Sequence, residues 1–241
     1  MPSLSPYRSA LDYAYAPGMF PAMECLLHRP DCARRVLLHS KSAGTEGAQR
    51  LTELAAKLHV RVEEADRALS RISGKENCFA AAVFSKFSDT LAPNGPHVVL
   101  HNPSDCGNVG TILRTADAAG FDGALLSSAC ADLYSAKTLR ATMGSVFRVP
   151  TKRTDDLAAA LEAMKARGYA VVATELGGAD FYAHCPHEKC VLVIGSEGRG
   201  VSAAVRDVAT HHLALPMRGG AESLNAAVAS GIMIYEMARK A

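Results

Sequence analysis

The chain has 241 residues, about half of them apolar and 21% charged, enough for one large globular domain or two small ones. Its formal net charge is +2, with twelve Lys/Arg against ten Asp/Glu in residues 1–92 and fourteen of each in residues 93–241, so any pull on a polyanion lies in the N-terminal part and is weak. No run of eighteen apolar residues predicts a membrane span, and Met1–Arg8 lacks the apolar core of a signal peptide. Seven singly placed cysteines argue for reduced thiols in the cytoplasm, not a disulfide framework.

Residues 1–92 read as a small α/β domain. The pattern predicts helices over Met19–His28, Glu46–Leu58 and Ala65–Ile72. Strands are expected at Arg35–His39, Val60–Val62 and Phe79–Phe84. Leu51, Leu54, Ala55 and Leu58 share one helical face. The stretch Ser88-Asp-Thr-Leu-Ala-Pro-Asn-Gly-Pro96, with two prolines and an Asn-Gly, is the expected linker to a second domain, residues 93–241.

From His97 strands and helices alternate. Strands are expected at His97–His101, Gly123–Ser127, Ser145–Val149, Tyr169–Thr174, Cys190–Gly195 and His212–Leu215. Helices are expected at Val109–Ala119, Leu133–Thr142, Asp155–Arg167, Val201–Val208 and Ser223–Arg239. Several strands are unbroken apolar runs, so the alternation predicts an α/β fold with a parallel sheet covered on both faces. Asp155 is the expected cap of its helix and Gly168 the residue just past its end. His184-Cys185-Pro-His187-Glu-Lys-Cys190 has the residue types of a zinc site. Its spacing is irregular and Cys190 opens a strand, so it is read as a polar loop and no metal is expected.

Three polar, glycine-rich elbows follow apolar strands. The first is Asn102-Pro-Ser-Asp-Cys-Gly-Asn108-Val-Gly110, with Arg114 further along the helix it opens. Taken alone, Arg114 reads equally well as a snorkelling edge residue and as an anion-binding guanidinium. The second is Gly195-Ser-Glu197-Gly198-Arg-Gly200, at a strand's C-terminal end, where open α/β sheets bind ligands. Its spacing is neither the Gly-x-Gly-x-x-Gly dinucleotide fingerprint nor a phosphate-cradling Walker loop. The third is Leu215-Pro-Met-Arg-Gly-Gly-Ala-Glu222-Ser223-Leu224-Asn225, running into the last helix. It reads as a capped helix start with Ser223 as N-cap, or as the mouth of a ligand site.

Together, Asn-x-Gly-x-x-x-Arg, Gly-Ser-Glu-Gly-x-Gly and Leu-Pro-Met…Glu-Ser-Leu-Asn…Tyr-Glu resemble the SpoU (TrmH-like) RNA ribose methyltransferases of the SPOUT superfamily, over most of residues 97–241. Lys75–Val83 stands where that family's small substrate-binding domain usually ends. One departure is Asp105-Cys106, where the family has Asp-Pro; the proline is a turn-former, so the change is not expected to harm the chemistry. The resemblance implies a trefoil-knotted parallel sheet, a homodimer with sites at its interface, and S-adenosylmethionine as cofactor. It implies a cofactor pocket of Thr174, Gly195, Glu197, Gly198, Leu215 and Leu224, and a catalytic set of Asn108, Arg114, Glu197, Ser223 and Asn225. It further implies 2′-O-methylation of structured RNA, ribosomal RNA favoured and transfer RNA possible. The competing expectation from another class, a non-catalytic RNA-binding module of the same fold, would show damaged motifs. A nicotinamide reductase would need the early glycine fingerprint that is missing.

Overall fold

The computed structural model describes residues 4–73 and 78–239, so Met1–Ser3 and Lys75–Asn77, on which the leader and domain-end readings partly fall, lie outside the described residues. In chain order come β1 (Tyr13–Pro17), α1 (Met19–His28), β2 (Ala33–Leu38), α2 (Glu46–Lys57), β3 (Arg61–Glu64), α3 (Asp66–Ser73) and β4 (Ala80–Ser85). Then follow β5 (His97–Leu100), α4 (Cys106–Ala118), β6 (Gly123–Ser127), α5 (Ala136–Thr142), α6 (Ser145–Arg148), β7 (Thr151–Thr154) and α7 (Leu157–Ala166). The chain closes with β8 (Ala170–Asp180), α8 (Phe181–His184), β9 (Cys190–Ile194), α9 (Ala203–Val208), β10 (His211–Ala214) and α10 (Ala226–Ala238). No helix among the described residues is long and apolar enough to cross a membrane.

Packing divides the chain into two units, residues 1–87 with 132–148, and residues 88–131 with 149–241. The first is a four-stranded sheet in the order β1-β4-β2-β3, antiparallel except for the β2–β3 pair. Tyr15, Leu37, Leu69, Ile72, Ala81 and Val83 fill one side of it. Residues 132–148, expected in the second domain, pack here because Tyr134 and Phe147 meet Phe84 edge-on at 5.8 and 5.1 Å. Ser145–Arg148 is a helix where the strand Ser145–Val149 is expected. Met143 and Gly144 take φ 47 and 86 just before it, turning the chain into α6. A short buried apolar run does not distinguish the two forms by itself. β1 and the polar edge strand β7 are additions that the periodicity does not reveal.

The second unit carries a six-stranded sheet, β10-β8-β9-β5-β6-β7, every pair parallel. β5, β6 and β9 are buried at every residue, as continuous apolar strands between helix layers must be. Asp156 Oδ1, not Asp155, accepts from the Ala159 N–H at 2.9 Å to cap α7, and Gly168 ends it at φ 86. In the segment read as a polar loop, His184 and His187 bond the separate carbonyls of Asp180 and Met237, while Cys190 lies buried in β9. Burial pushes the Cys190 thiol up to about 12, which keeps it protonated.

His97, at the start of β5, is fully buried. Its Nε2 donates to the Ala92 carbonyl at 3.0 Å, leaving a buried Nδ1 with no partner. Protonating that nitrogen would bury an unpaired N–H cation, and burial accordingly holds the imidazole below its ordinary 6.5. Below about pH 6.5 the unfolded chain therefore binds more protons than the native one, so stability that is full above that pH is lost as pH falls through it. We expect the melting temperature to drop between about pH 7.5 and 5.5, and His97→Gln to flatten the slope. An unchanged slope in the variant would assign the loss to other groups.

Candidate active site

All three elbows lie in the second unit, at the C-terminal ends of β5, β9 and β10. The first starts α4. Asp105 Oδ1 caps it by accepting from the Asn108 N–H at 2.8 Å, so Cys106 occupies the first helical position, where a proline also fits. Asn108 thus stands in the opening turn with its amide facing out of the helix mouth. The second elbow is pinched shut: Gly200 N–H donates to Ser196 O at 2.8 Å and Ser196 N–H returns a bond to Gly200 O at 3.2 Å. Glu197 projects from the tip. The third elbow ends at Asn225, whose Oδ1 accepts from the N–H groups of Ala227 and Val228 at 2.9 and 3.3 Å. Asn225, not Ser223, is therefore the N-cap. The first free amides of α10 are taken by this side chain, and Glu222 and Ser223 lie ahead of the helix.

One hydrogen-bonded relay joins the three elbows. Asn225 Nδ2 donates to Asn108 Oδ1 at 3.1 Å, and Asn108 Nδ2 donates to Glu197 Oε1 at 2.6 Å. Because Asn225 Oδ1 is committed to the helix cap, its amide can only donate onward, and the polarity runs one way to the carboxylate.

Beside this relay lies a cleft of about 780 Å³ between a bulge in β8 and the loops that follow β9 and β10. Its wall includes Ile194, Leu213, Leu215, Met217, Leu224 and Met233, and Thr174, Glu175, Glu197, Arg206, Ser223 and Asn225 are among its polar groups. β8 contributes through a bulge. Its pairing with β10 jumps from His212↔Ala173 to Leu213↔Ala179, so Thr174–Gly178 loops out. Gly177 turns there at φ 79, and a Cβ on Gly178 would come within 2.8 Å of the His212 carbonyl. Thr174 Oγ1 ties the bulge back by donating to Val193 O at 2.9 Å. Glu175, carried out by the bulge, faces His212 Nδ1 at 3.1 Å and Arg206 at 3.6 Å.

Residues 95–235 match the model of the SpoU rRNA Methylase family. The chain belongs to the SpoU rRNA methylase family. Among curated SpoU-like relatives, it is 39% identical over 158 residues to the 23S rRNA (guanosine(2553)-2′-O)-methyltransferase RlmP of Bacillus subtilis, covering 65% of this chain and 63% of that protein. It is 35% identical to an uncharacterized tRNA/rRNA methyltransferase of Synechocystis, over 66% of this chain and 65% of that one. The matched stretch is thus under two thirds of either relative's length. Among solved structures, the SpoU methyltransferase AviRb of Streptomyces viridochromogenes, in complex with AdoMet, superposes with a TM-score of 0.83 at 26% identity, over 95% of this chain and 90% of that one. An AdoMet-bound rRNA methyltransferase of Sinorhizobium meliloti gives 0.80 at 28% identity, over 95% and 88%.

Of the residues the SpoU resemblance marks, Thr174, Gly195, Glu197, Gly198, Leu215, Ser223, Leu224 and Asn225 all line the cleft. Asn108 reaches it through its bonds to Glu197 and Asn225. Arg114 stands apart. Its neighbours Leu113 and Ala116 are buried, while Arg114 itself is exposed and does not line the cleft of its own chain. Six residues on from Asn108, it points about 120° round α4 and sits about 9 Å along it. The bulge residue Glu175 and its partners Arg206 and His212 are additions; the strand runs on past the expected end at Thr174 to Asp180, and the Gly177-Gly178 pair just beyond that end is the sequence signal for the bulge.

Proposed function

We propose that this protein transfers the methyl group of S-adenosylmethionine to a ribose 2′-hydroxyl of structured RNA, ribosomal RNA in preference to transfer RNA. The relay Glu197–Asn108–Asn225 beside the cleft carries this reading, since it gives three loops one fixed geometry around a ligand-sized space. The names of the matched relatives support the substrate class.

The residues fit such a cofactor. Aliphatic side chains of Ile194, Leu215 and Leu224 suit an adenine ring, and the carboxylates of Glu175 and Glu197 suit a cationic ligand. A bare Gly195 lets the loop close on Gly200 beside the cleft. Bound there, S-adenosylmethionine supplies an electrophilic methyl on a sulfonium. This chain's part is then alignment and electrostatics. Asn108 and Asn225 hold the mouth of α10 against α4, Glu197 fixes the second loop, and Ser223 offers a hydroxyl at the cleft rim. Arg114 clamps a neighbouring phosphate and the developing alkoxide; a guanidinium keeps its charge and is a poor proton acceptor. The proton leaves to water or a phosphate oxygen.

The active form is a homodimer, with the C-terminal part of each chain threaded as a trefoil knot. In support of the knot, the chain leaves β9, passes out to β10 beyond β8, and returns along α10 to pack on α4, beside β5. In support of the dimer, Arg114 lies outside its own cleft, and α10 keeps an unused apolar face. Ala227 and Ser230 are buried, and a Cβ added at Gly231 would lie 3.8 Å from Thr115 Cγ2 of α4, so the small residues serve contact within the chain. Val228, Ile232 and Tyr235, spaced along one outer stripe, are 53%, 36% and 55% exposed. We expect sedimentation at twice the 25.4 kDa chain mass, and a single-chain species for Ile232→Glu. A native protein that stays at one chain mass at every concentration would end the dimer proposal. The first unit is assigned to RNA binding, and the protein to the cytoplasm.

The direct test supplies methyl-labelled S-adenosylmethionine and unmodified ribosomal or transfer RNA, then maps 2′-O-methyl positions. Label in ribose sustains the proposal. Tight cofactor-free RNA binding, with no S-adenosylmethionine affinity by calorimetry, would instead select the non-catalytic module.

A further inference from the structure

β5 ends at Leu100 and α4 begins at Cys106, so residues 101–105 make the turn by which α4 leaves the sheet. Within them Asn102 adopts φ 63, in the left-handed region. Asparagine tolerates that region better than most residues, yet the conformation persists only where surroundings hold it. Ser127, the buried last residue of β6, does so twice. The Asn102 N–H donates to Ser127 Oγ at 2.9 Å, and the Ser127 hydroxyl donates to Asn102 Oδ1 at 2.6 Å.

Those two bonds set the direction of the rest. With Oδ1 accepting the hydroxyl proton, the Asn102 amide NH₂ faces His101 Nε2 at 3.3 Å. That nitrogen must accept, so the ring proton sits on the buried Nδ1. His101 is 9% exposed, and burial pulls its pKa down, which preserves the neutral, accepting ring. Its backbone N–H donates to Ile194 O at 2.8 Å, one residue before the second elbow. The far side of the clamp is braced as well. Ala131 N–H donates to Pro103 O at 2.9 Å, and Arg153 of β7 donates to the carbonyls of Cys130 and Ala131 at 3.2 and 2.8 Å.

We propose that Asn102, held by Ser127 and His101, is a positioning residue that sets the turn through which β5 presents Asn108 and Arg114 to the substrate. This rests on the methyl-transfer reading above. The link is mechanical: Asn102 is three residues before the cap Asp105, and Asn108 three after it, with no intervening flexible spacer. The catalytic effect of a lost clamp follows from the sensitivity of transfer to alignment, where about 1 Å of misplacement costs on the order of a hundredfold.

The test compares Asn102→Gly, Ser127→Ala and Ser127→Thr with the native protein. Glycine adopts φ 63 freely, so Asn102→Gly removes the side-chain links without straining the turn. Four quantities are read: melting temperature, S-adenosylmethionine affinity by calorimetry, single-turnover transfer to ribosomal RNA made in vitro, and the Asn108 side-chain amide signals by NMR in cofactor-free protein. We expect Asn102→Gly and Ser127→Ala to keep the native cofactor affinity, to shift the Asn108 signals, and to transfer on the order of 10- to 100-fold more slowly. Ser127→Thr, which keeps the hydroxyl, should recover the rate. Native rates in both clamp variants, slowed variants with unmoved Asn108 signals, or parallel losses of melting temperature, affinity and rate would each overturn the proposal. Should the native protein transfer no methyl at all, the parent reading falls, while the Asn108 signals in free protein still decide whether Asn102 positions α4.

Discussion

Arg114→Ala is expected to lose methyl transfer by on the order of a thousandfold or more, with S-adenosylmethionine affinity unchanged. Arg114 is exposed on the outer side of α4 and does not line the cleft of its own chain, so no contact within the chain ties the cofactor pocket to it. The helix packs through Val109, Ile112, Leu113 and Ala116 instead, so the variant should also melt like the native protein. A charge removed from a developing alkoxide, in a site that excludes water, costs far more than one removed from a wet surface. Arg114→Lys separates two roles. A clamp keeps part of its effect with an ammonium in place, although the planar two-point contact to a phosphate is lost. A general base would show a kinetic pKa that follows the residue at 114. Near-native turnover by Arg114→Ala would remove the residue from the mechanism.

How far the sequence carries depends on whether a feature is local. The limits of α1, Met19–His28, follow from its own periodicity, and β9 is legible because Cys190–Ile194 is apolar at every position. Caps are harder. Asp155 and Asp156 are both good candidates, as are Ser223 and Asn225, and the choice rests on which backbone turns extended at that residue. Here Asp156 and Asn225 do, with ψ 93 and 139. The segment Ser145–Val149 misleads because its burial is set by packing in the first unit, against Phe84 and α1, not by a strand partner. The elbows themselves are visible as motifs. Their connection is not: Asn108 meets Glu197 across 89 residues and Asn225 across 117. Glu175 is hidden for a similar reason, since it is the register jump between β8 and β10 that carries it to the cleft.

Gly195→Val is expected to abolish cofactor binding, and the structure changes the reason for it. A Cβ at Gly195 would lie 2.3 Å from Gly200 C, 2.5 Å from Gly200 O and 2.7 Å from Val201 N. It would therefore strike the returning arm of its own loop before filling any ligand space. All three obstacles are backbone atoms, held by the reciprocal Ser196–Gly200 pair, so no side-chain rotation relieves them. Overpacking in a close-packed site costs roughly 1–3 kcal/mol. Because the bound loop must keep its native shape, that strain is paid on binding, and at about 1.4 kcal/mol per tenfold in Kd even Gly195→Ala should weaken S-adenosylmethionine by roughly 5- to 150-fold, and valine further still. The pinch also carries Glu197 to Asn108, so the same change should loosen the relay and lower the melting temperature of cofactor-free protein. Gly198→Ala is the contrast. Its Cβ would meet nothing within 4 Å, so the free protein should melt normally. Any loss of affinity there reports contact with ligand and not damage to the loop. Calorimetry on the two alanine variants separates the cases. Full affinity in Gly195→Ala would mean that the β9 elbow opens without consequence, and that the cofactor lies elsewhere.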